Sequence, residues 1–404
     1  MPHYPYLIIG GGMTADAAIR GIREVDGDRA IALVGDEPDP PYNRPPLSKG
    51  LWKGKAMESI WRKPAPPGVE PYLGRRIRSL DVARKQATDD QGATYSFDQC
   101  LLATGGTPRR LPFGGDDVLY YRTLGDYRRL RALAEHGARF AVIGGGFIGS
   151  EVAAALAMSQ KQVTLIVPES GIGERIYPRS LVHFVSAYYR QKGVEVLIRS
   201  SAVGLEKRGE RLALKVRSAD SSSEREIEVD GVVAGIGLQP NVELARSAGL
   251  AVENGIVVDE LLRTGGPDVY AAGDVARFFN PALGQAIRVE HEDNANTMGQ
   301  AAGHAMAGRA EPYHHLPFFY SDLFELGYEA VGELDARAQT VEDWRTPYRE
   351  GVVYYLRDGR VRGVLLWNVW GQVEAARTLI AEPGPFKPAD LTGRLPAKPT
   401  GGVP

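Results

Sequence analysis

The stretch "RFAVIGGGFIGSEVAAALAMSQKQVTLIV" (139–167) decides the fold. It reads as a short apolar strand, a turn of three glycines, an alanine-rich helix and a second strand. The same order occurs near the start of the chain, where "YLIIGGG" (6–12) is followed by a helical pattern and the apolar run "AIALV" (30–34). Such a unit is the building block of a parallel sheet. The first glycines, Gly10 and Gly144, lie 134 residues apart, which indicates a duplicated domain type and not a solenoid.

Both glycine turns have the spacing G-x-G-x-x-G/A of a dinucleotide cradle. The positions are Gly10, Gly12 and Ala15 in the first turn, and Gly144, Gly146 and Gly149 in the second. The first small residue allows a tight turn, the second lets backbone N–H groups reach a pyrophosphate, and the third lets the helix pack on the strand. The helix N-terminus adds about half a positive charge there. One match is equally consistent with a structural turn, but two in the same context predict two dinucleotide sites.

An acidic residue follows the second strand of each unit, Asp36 and Glu37 in the first and Glu169 in the second. A carboxylate at this point accepts hydrogen bonds from ribose hydroxyls and repels a 2′-phosphate. Glu169 therefore favours NADH as the donor, whereas Arg175 and Arg179 nearby also permit NADPH. The alternative for Glu169 is a solvated acid on the surface. Two sites imply a relay in which FAD is the resident cofactor and NAD(P)H exchanges.

Bulk composition excludes several classes of protein. A chain of 404 residues is too long for one hydrophobic core, so we expect about two or three domains. A net charge of −2 removes the main electrostatic argument for a nucleic-acid or anionic-membrane partner. No apolar run reaches the ~20 residues of a membrane span, and no signal-peptide pattern precedes the first strand, so the expected location is the cytoplasm.

The single cysteine, Cys100, excludes an intramolecular disulfide framework and a dithiol redox centre within one chain. It lies on the apolar strand before "ATGG" and reads as a buried core thiol. The seven histidines show no ligand spacing beyond the adjacent pair His314 and His315, so no metal site is predicted.

The stretch "PYNRPPLSKG" (41–50) is either a rigid surface connector or a loop that holds a ligand. Its three prolines deny it a helix, and its two cations, Arg44 and Lys49, lie five residues apart. Beyond about residue 314 the pattern becomes β-rich, with a hairpin signal at Asp358-Gly359. A closing helix is predicted over 371–382 and a disordered tail over 396–404.

The chain resembles the two-dinucleotide-domain flavoprotein reductases of the FAD-dependent pyridine nucleotide-disulfide oxidoreductase superfamily. Within them it is similar to the bacterial relatives of apoptosis-inducing factor and to the ferredoxin and rubredoxin reductases. The resemblance covers nearly the whole chain and is carried by stretches such as "PYNRPPLSK", "CLLATGG", "IGGGFIGSEVAAA", "VYAAGDVARF", "RVEHEDNA" and "FYSDLFELGYEAVG".

The resemblance implies an α/β fold with two Rossmann-like dinucleotide-binding domains, the NAD domain inserted in the FAD domain, and a C-terminal α+β domain. The corresponding boundaries are 1–107 and 240–313 for the FAD-binding domain, 108–239 for the NAD(H)-binding domain, and 314–404 for the C-terminal domain with its tail.

The family's binding residues are carried over position by position. The FAD contacts implied are Gly10, Gly12, Met13, Thr14, Ala15, Asp36, Glu37, Arg44, Lys49, Ile77, Ala103, Thr104, Gly105, Arg122, Gly273, Asp274, His291 and Tyr320. The NAD contacts implied are Gly144, Gly146, Phe147, Ile148, Gly149, Glu169, Arg175, Gly237, Glu290, Glu329 and Asn368. Two positions depart from the family: Tyr320 stands where a tryptophan is frequent, and Glu292 where a histidine occurs, which adds negative charge on the nicotinamide side.

The predicted mechanism passes hydride from NADH to FAD. Lys49 is the predicted catalytic cation near flavin N5, and Glu151, at the start of the second unit's helix, is its partner. A first-turn acid that gains from the helix dipole is the alternative for Glu151.

The leading acceptor is a ferredoxin or rubredoxin. A quinone or oxygen, as in an NADH oxidoreductase similar to apoptosis-inducing factor, is the second possibility. A redox-sensing interaction protein whose reduction by NADH changes its dimerisation is the third, so a homodimer is left open.

Overall fold

The computed structural model describes residues 1–395. The predicted tail, 396–404, lies outside the described residues. By its internal contacts the chain divides into two compact units, each made of three segments. The first unit comprises 1–44, 56–107 and 239–317, and the second comprises 45–55, 108–238 and the described residues from 318 onward. The predicted boundary between an NAD domain and a C-terminal domain falls inside the second unit, and the three-domain division stays a prediction.

The first unit is built on a seven-stranded sheet whose central strand, His3–Ile9, pairs in parallel with Ile31–Gly35 and with Thr94–Leu102. The remaining strands of this sheet are Val69–Leu73, Ile77–Asp81, Gln86–Asp89 and Val269–Ala271. A four-stranded sheet contains Val252–Glu253, Gly255–Val257, Ala276–Asn280 and Gln285–Ile287. The α-helices are Met13–Arg23, Glu243–Ser247 and Glu292–Met306, and the 3-10 helices are Met57–Ile60 and Gly273–Val275.

The core of this unit follows from the first strand, helix, strand pattern. The strand His3–Ile9 is buried on both faces, and the helix Met13–Arg23 buries its small and aliphatic residues against the sheet and the helix Glu292–Met306. Glycine permits the close helix contact, because a Cβ added at Gly299 or Gly303 would lie 2.4 Å or 2.2 Å from a backbone oxygen of the first helix. The predicted order of strand, helix and strand is confirmed by the strand His3–Ile9, the helix Met13–Arg23 and the strand Ile31–Gly35.

The second unit contains a parallel sheet in the strand order Val194–Leu197, Gln162–Ile166, Arg139–Ile143, Gly231–Ala234, Val118–Tyr120. An antiparallel sheet is formed by Ser200–Arg208, Arg211–Ser218 and Glu224–Val229. The α-helices are Leu124–His136, Phe147–Met158, Arg179–Gln191, Val373–Ala381 and Pro388–Leu391, and the 3-10 helices are Pro45–Leu47, Gly50–Lys53 and Gly115–Asp117. The short strands Gly106–Pro108 and Leu238–Pro240 lie where the chain passes from one unit to the other.

A five-stranded antiparallel sheet completes the second unit, in the order Phe318–Leu323, Leu326–Gly332, Arg360–Trp367, Glu350–Arg357, Gln339–Thr346. The hairpin predicted at Asp358-Gly359 is confirmed, since both residues have positive φ, at 52° and 71°, as a tight primed turn requires. The predicted closing helix is the helix Val373–Ala381.

The segment 45–55 leaves the first unit and folds on the second. The chain just before and just after this segment is joined within the first unit, where the backbone N–H of Asn43 donates to the carbonyl of Ile60 at 2.8 Å. Its tip is anchored by Trp52, whose indole N–H donates to the carbonyl of Leu47 at 2.8 Å. The guanidinium of Arg131 lies 4.9 Å above the Trp52 ring. The segment 45–55, which contains Pro45 and Pro46, is thus held at its base and at Trp52. Its contacts distinguish a connector from a ligand-binding loop.

Candidate functional sites

The first glycine turn has the shape of a cradle whose walls are backbone. Gly10 has a φ of +123°, and a Cβ at this position would lie 2.1 Å from the carbonyl oxygen of Ala103. Both conformation and space therefore demand glycine here. Ala15, at the third small position, is fully buried in the helix that begins at Met13.

Gly12 needs a different explanation from Gly10. Its φ is −92°, which any residue adopts, and the nearest atom to an added Cβ is a guanidinium nitrogen of Arg44 at 3.8 Å. No contact among residues 1–395 therefore requires glycine at this position. The pyrophosphate predicted from the glycine spacing would occupy this space beside the Arg44 guanidinium, and that role stays a prediction.

Arg44 is held beside the first cradle by Glu37 and Tyr42. The guanidinium forms an ion pair with the Glu37 carboxylate, to which the Tyr42 hydroxyl donates at 2.6 Å. Burial lowers the pKa of Arg44, but Glu37, Tyr42 and Asp274 outweigh it, so the pKa lies above its usual value. Asp36, the other predicted ribose acid, points to the surface, where it pairs with Arg76 at 2.8 Å.

Other predicted FAD residues line the same unit. Gly273 has a φ of +77° and packs against Thr14, since an added Cβ would lie 2.3 Å from the Thr14 hydroxyl oxygen. Asp274 follows it and is buried, and Thr104 donates to the carbonyl of Asn241 at 2.8 Å. Also in this unit are the predicted FAD contacts Met13, Ile77, Ala103, Gly105 and His291, together with Glu290 and Glu292, which were predicted for the NAD and its nicotinamide side.

The second glycine turn repeats the first cradle. Gly144 has a φ of +108°, and a Cβ there would lie 2.4 Å from the carbonyl oxygen of Gly235. Gly149 packs tightly, because a Cβ added to it would lie 1.9 Å from the carbonyl oxygen of Gly144. Gly146 has an ordinary φ of −83° and no atom within 4 Å of an added Cβ among the described residues. It therefore matches Gly12, and its place in a dinucleotide site likewise stays a prediction.

Side chains around the second turn suit a nicotinamide dinucleotide. Phe147 and Ile148 are exposed, although both are apolar. Glu169 accepts from the Arg175 guanidinium at 2.9 Å; the Arg175 side chain is 85% exposed and the Glu169 side chain 25%. A surface ion pair of this kind is compatible with both the ribose-binding prediction and the alternative of a solvated surface acid at Glu169. Gly237, with a φ of +101°, lies between the strands Gly231–Ala234 and Leu238–Pro240.

Lys49 and Glu151 form a buried ion pair within the second unit. The Lys49 Nζ lies 2.8 Å from each carboxylate oxygen of Glu151, and the two side chains are 12% and 2% exposed. The ammonium also lies 5.1 Å from the centre of the Tyr320 ring. Glu151 is the fifth residue of the helix Phe147–Met158 and lies beyond its first turn, so the alternative of a first-turn acid that gains from the helix dipole is wrong. The Lys49 ammonium is thus largely withdrawn from solvent, which favours the ligand-loop interpretation of the segment 45–55 over a plain connector, and its role at a flavin stays a prediction.

Two serines that the sequence interpretation missed complete this pair. Ser48 and Ser321 each donate a hydrogen bond of 2.6 Å to Glu151, one to each carboxylate oxygen. Both serines are buried. Their only signal in the sequence is adjacency, because Ser48 precedes Lys49 and Ser321 follows Tyr320.

Tyr320 and Glu329 lie opposite each other on neighbouring antiparallel strands. Burial raises the pKa of Glu329 above its usual value, although it accepts the backbone N–H of Gly371 at 3.2 Å. Asn368 has a φ of +50° and accepts the backbone N–H of Gly327 at 2.7 Å. Arg122 lies in the second unit, with its backbone N–H bound to Asp126 at 3.0 Å. The binding roles of these residues stay predictions.

Cys100 is fully buried, as predicted, and burial raises the pKa of its thiol above the usual value. The neutral thiol is a poor nucleophile, so its packing in the core explains it. Within residues 1–395, every helix is too short or too polar to cross a lipid bilayer.

Comparison with known proteins matches both parts of the chain to described families. The family model "Pyridine nucleotide-disulphide oxidoreductase" matches residues 4–302. The model "Apoptosis-inducing factor, mitochondrion-associated, C-term" matches residues 302–347 and 342–382.

The similar proteins include a ferredoxin reductase subunit and an apoptosis-inducing factor. The "5,5'-dehydrodivanillate O-demethylase ferredoxin reductase subunit" of a Sphingobium species is 35% identical over 89% of this chain and 89% of its own length. "Apoptosis-inducing factor 1, mitochondrial" of Dictyostelium discoideum is 32% identical over 93% of this chain and 78% of its own. A chain of the solved covalent putidaredoxin reductase-putidaredoxin complex is similar with a TM-score of 0.87 and 29% identity, covering 96% of this chain and 95% of that one.

These similarities confirm the predicted fold class, an α/β protein with two Rossmann-like dinucleotide-binding folds and a C-terminal α+β part.

Proposed function

The chain belongs to the pyridine nucleotide-disulphide oxidoreductase family, and from that premise we propose that it passes electrons from NADH through FAD to a small iron–sulfur protein. FAD and NAD(H) are the cofactors, and the chain is an NADH-dependent flavoprotein reductase. The single observation that carries the proposal is the pair of cradles in which Gly12 and Gly146 each leave room for a ligand. A disulphide substrate is disfavoured because the only cysteine is buried.

Bound FAD supplies the chemistry of accepting a hydride from NADH and releasing electrons singly. The chain's own residues bind and orient the reactants. In the proposal, the backbone N–H groups after Gly10 and the Arg44 guanidinium neutralise the FAD pyrophosphate. Glu169 accepts hydrogen bonds from the NADH ribose, and its charge disfavours a 2′-phosphate. Since Arg175 partly neutralises Glu169, NADPH is proposed as a second, weaker hydride donor.

Lys49 is the cation that we propose for the flavin. Its role is electrostatic, because a fixed ammonium stabilises the negative charge that the flavin gains on reduction. Glu151 fixes the ammonium and keeps the buried charge paired. The short contact with the Tyr320 ring further limits where the ammonium can lie.

A ferredoxin or rubredoxin is the proposed acceptor. The proposal is supported by relatives whose names include a ferredoxin reductase subunit and "Anthranilate 1,2-dioxygenase system ferredoxin--NAD(+) reductase component" of Burkholderia cepacia. The C-terminal match to apoptosis-inducing factor favours a second candidate, an NADH oxidoreductase that uses quinone or oxygen. We further propose a cytoplasmic location; a homodimer and a redox-sensing role stay predictions.

A panel of acceptors tests the proposal. The purified FAD-loaded protein is given NADH with a two-iron ferredoxin, a rubredoxin, a soluble quinone or oxygen, and the turnover of each is measured. Turnover above about one per second with an iron–sulfur protein, and much slower turnover with quinone and oxygen, is expected. Fast turnover with quinone alone would replace the leading acceptor by the second candidate. Slow reduction by NADH with every acceptor would favour the redox-sensing role.

A further inference from the structure

The Glu151 carboxylate is enclosed by donors from the second unit. Ser48 donates to Oε2 and Ser321 to Oε1, both at 2.6 Å, and the Lys49 ammonium lies 2.8 Å from each oxygen. Glu151, Ser48 and Ser321 are 3%, 6% and 1% exposed, so water does not supply these hydrogen bonds. The carboxylate therefore accepts one serine hydrogen bond at each oxygen and contacts the ammonium through both.

Two buried tyrosines also lie around Glu151. Tyr177 and Tyr328 lie beside it, with their ring centres 5.8 Å apart in an edge-to-face arrangement. Burial raises the pKa of both phenols above the usual value, and the negative charge of Glu151 adds to this shift. The rings exclude solvent and fill the space around the carboxylate, while the serines and Lys49 orient it.

Ser321 reaches Glu151 because of its position on a strand. It lies on the strand Phe318–Leu323, directly after Tyr320, whose ring is 5.1 Å from the Lys49 ammonium. One short stretch of strand therefore contacts both ends of the ion pair, Tyr320 at the ammonium and Ser321 at the carboxylate.

We infer that Ser48 and Ser321 are positioning residues for Lys49: they fix the Glu151 carboxylate, and the carboxylate fixes the ammonium over Tyr320. The inference rests on the proposed role of Lys49 in flavin reduction. Without the hydroxyls the carboxylate is free to turn about its last side-chain bond, and the long, flexible Lys49 side chain follows it. Neither serine touches the reactants in this proposal.

The test compares Ser48→Ala, Ser321→Ala and Lys49→Met in the FAD-loaded protein, with Ser200→Ala as the matched control. Ser200 is a buried serine of the same unit whose hydroxyl donates to the carbonyl of Ile198 at 2.9 Å. Three quantities are measured: the reduction potential of the bound flavin, the limiting rate of its reduction by NADH, and the thermal unfolding midpoint. Each serine is replaced singly, so one variant that fails to fold leaves the other to decide.

We expect both serine variants to shift the flavin potential in the same direction as Lys49→Met, to more negative values. The limiting rate should fall roughly 10-fold, while the NADH concentration for half-maximal rate stays unchanged. Ser200→Ala should change the unfolding midpoint alone. Because the serines act through Lys49, adding Ser321→Ala to Lys49→Met should cause no further change in potential or rate.

Two results would overturn the inference, and they are distinguishable. If the serine variants keep the wild-type potential and rate while Lys49→Met loses both, the serines are structural only and the proposed function stands. If Lys49→Met also leaves the potential and rate unchanged, the proposed role of Lys49 fails and the inference fails with it.

Discussion

The ammonium of Lys49 and the carboxylate of Glu151 meet at 2.8 Å inside the second unit, although 102 residues separate them in the chain. The segment 45–55 makes this contact possible, because it belongs to the second unit although the residues that flank it, joined by the hydrogen bond from Asn43 to Ile60, belong to the first. Removing either partner of such a buried pair leaves an unpaired charge. The pair therefore holds the segment 45–55 in place and also fixes the charge that we propose for flavin reduction.

Replacing Lys49 by methionine should slow flavin reduction by NADH. Met keeps most of the side-chain volume and removes the charge, so the loss of transition-state stabilisation is expected to reduce the limiting rate by about 10- to 100-fold. Stopped-flow measurement of flavin bleaching gives the rate. Lys53→Met is the control, since Lys53 lies on the same segment but forms a partly exposed pair with Asp322 at 2.9 Å. Equal rates in the two variants would remove Lys49 from the mechanism.

Alanine at Gly12 or at Gly146 should separate the two cofactor sites. An added methyl fits the protein at both positions but occupies the space proposed for a pyrophosphate. We expect Gly12→Ala to be purified with little FAD, and Gly146→Ala to keep FAD but to need at least about 10-fold more NADH for half-maximal reduction. Flavin content and NADH titration measure these effects. Thermal midpoints close to wild type in the cofactor-free proteins serve as the control; normal binding in both variants would refute the cradles.

Glutamine at Glu169 should weaken the preference for NADH over NADPH. The substitution removes a charged acceptor for the ribose hydroxyls and releases Arg175 from its ion pair. A hydrogen bond to a charged group contributes about 1.5 to 3 kcal/mol, so kcat/KM for NADH should fall by about 10-fold or more. Steady-state kinetics with both nucleotides measures the ratio. An unchanged ratio would mean that Glu169 lies away from the ribose.

A salt link on the second unit should make stability depend on acid pH. Hydrogen bonds from Lys192 and Tyr188 lower the pKa of Glu325 from 4.5 to about 2. A lowered carboxyl pKa stabilises the fold above pH 4.5, and this stability is lost as the pH falls towards about 2. Because the Glu325 side chain is 68% exposed, solvent weakens the pair.

We therefore expect Glu325→Gln to lower the thermal midpoint by about 1 to 2 °C at neutral pH. The difference should shrink as the pH falls from about 4.5 towards about 2, which is the window of the shift. Calorimetry over a pH series measures it, with Glu210→Gln, in an exposed turn, as the control. A difference that persists undiminished in acid would contradict the assignment.

Local patterns were predictable from the sequence because contiguous residues determine them. The two strand, helix, strand units, the Asp358-Gly359 hairpin and the buried Cys100 required only periodicity, glycine spacing and apolar content. The distinction between Asp36 and Glu37 was not predictable in this way. Both follow the same strand, and the folded chain alone shows that Glu37 pairs with Arg44 beside the cradle while Asp36 pairs with surface Arg76.

The Lys49 and Glu151 pair was predicted from family resemblance, since no local pattern joins residues so far apart. The role of Ser321 escaped prediction for the same reason: 170 residues separate it from Glu151, and a serine within a strand carries no propensity signal of its own. The course of the segment 45–55 also depends on a packing contact, the placement of Trp52 against Tyr127 and Arg131. Sequence periodicity does not encode such contacts.

The most direct measurement is a single turnover observed without oxygen. The FAD-loaded protein is mixed rapidly with NADH and an oxidised two-iron ferredoxin, and the flavin and iron–sulfur absorption bands are followed together. The flavin band should fall first and then recover as the ferredoxin band falls. A flavin that NADH reduces but that stays reduced in the presence of ferredoxin, while quinone reoxidises it, would contradict electron transfer to an iron–sulfur protein.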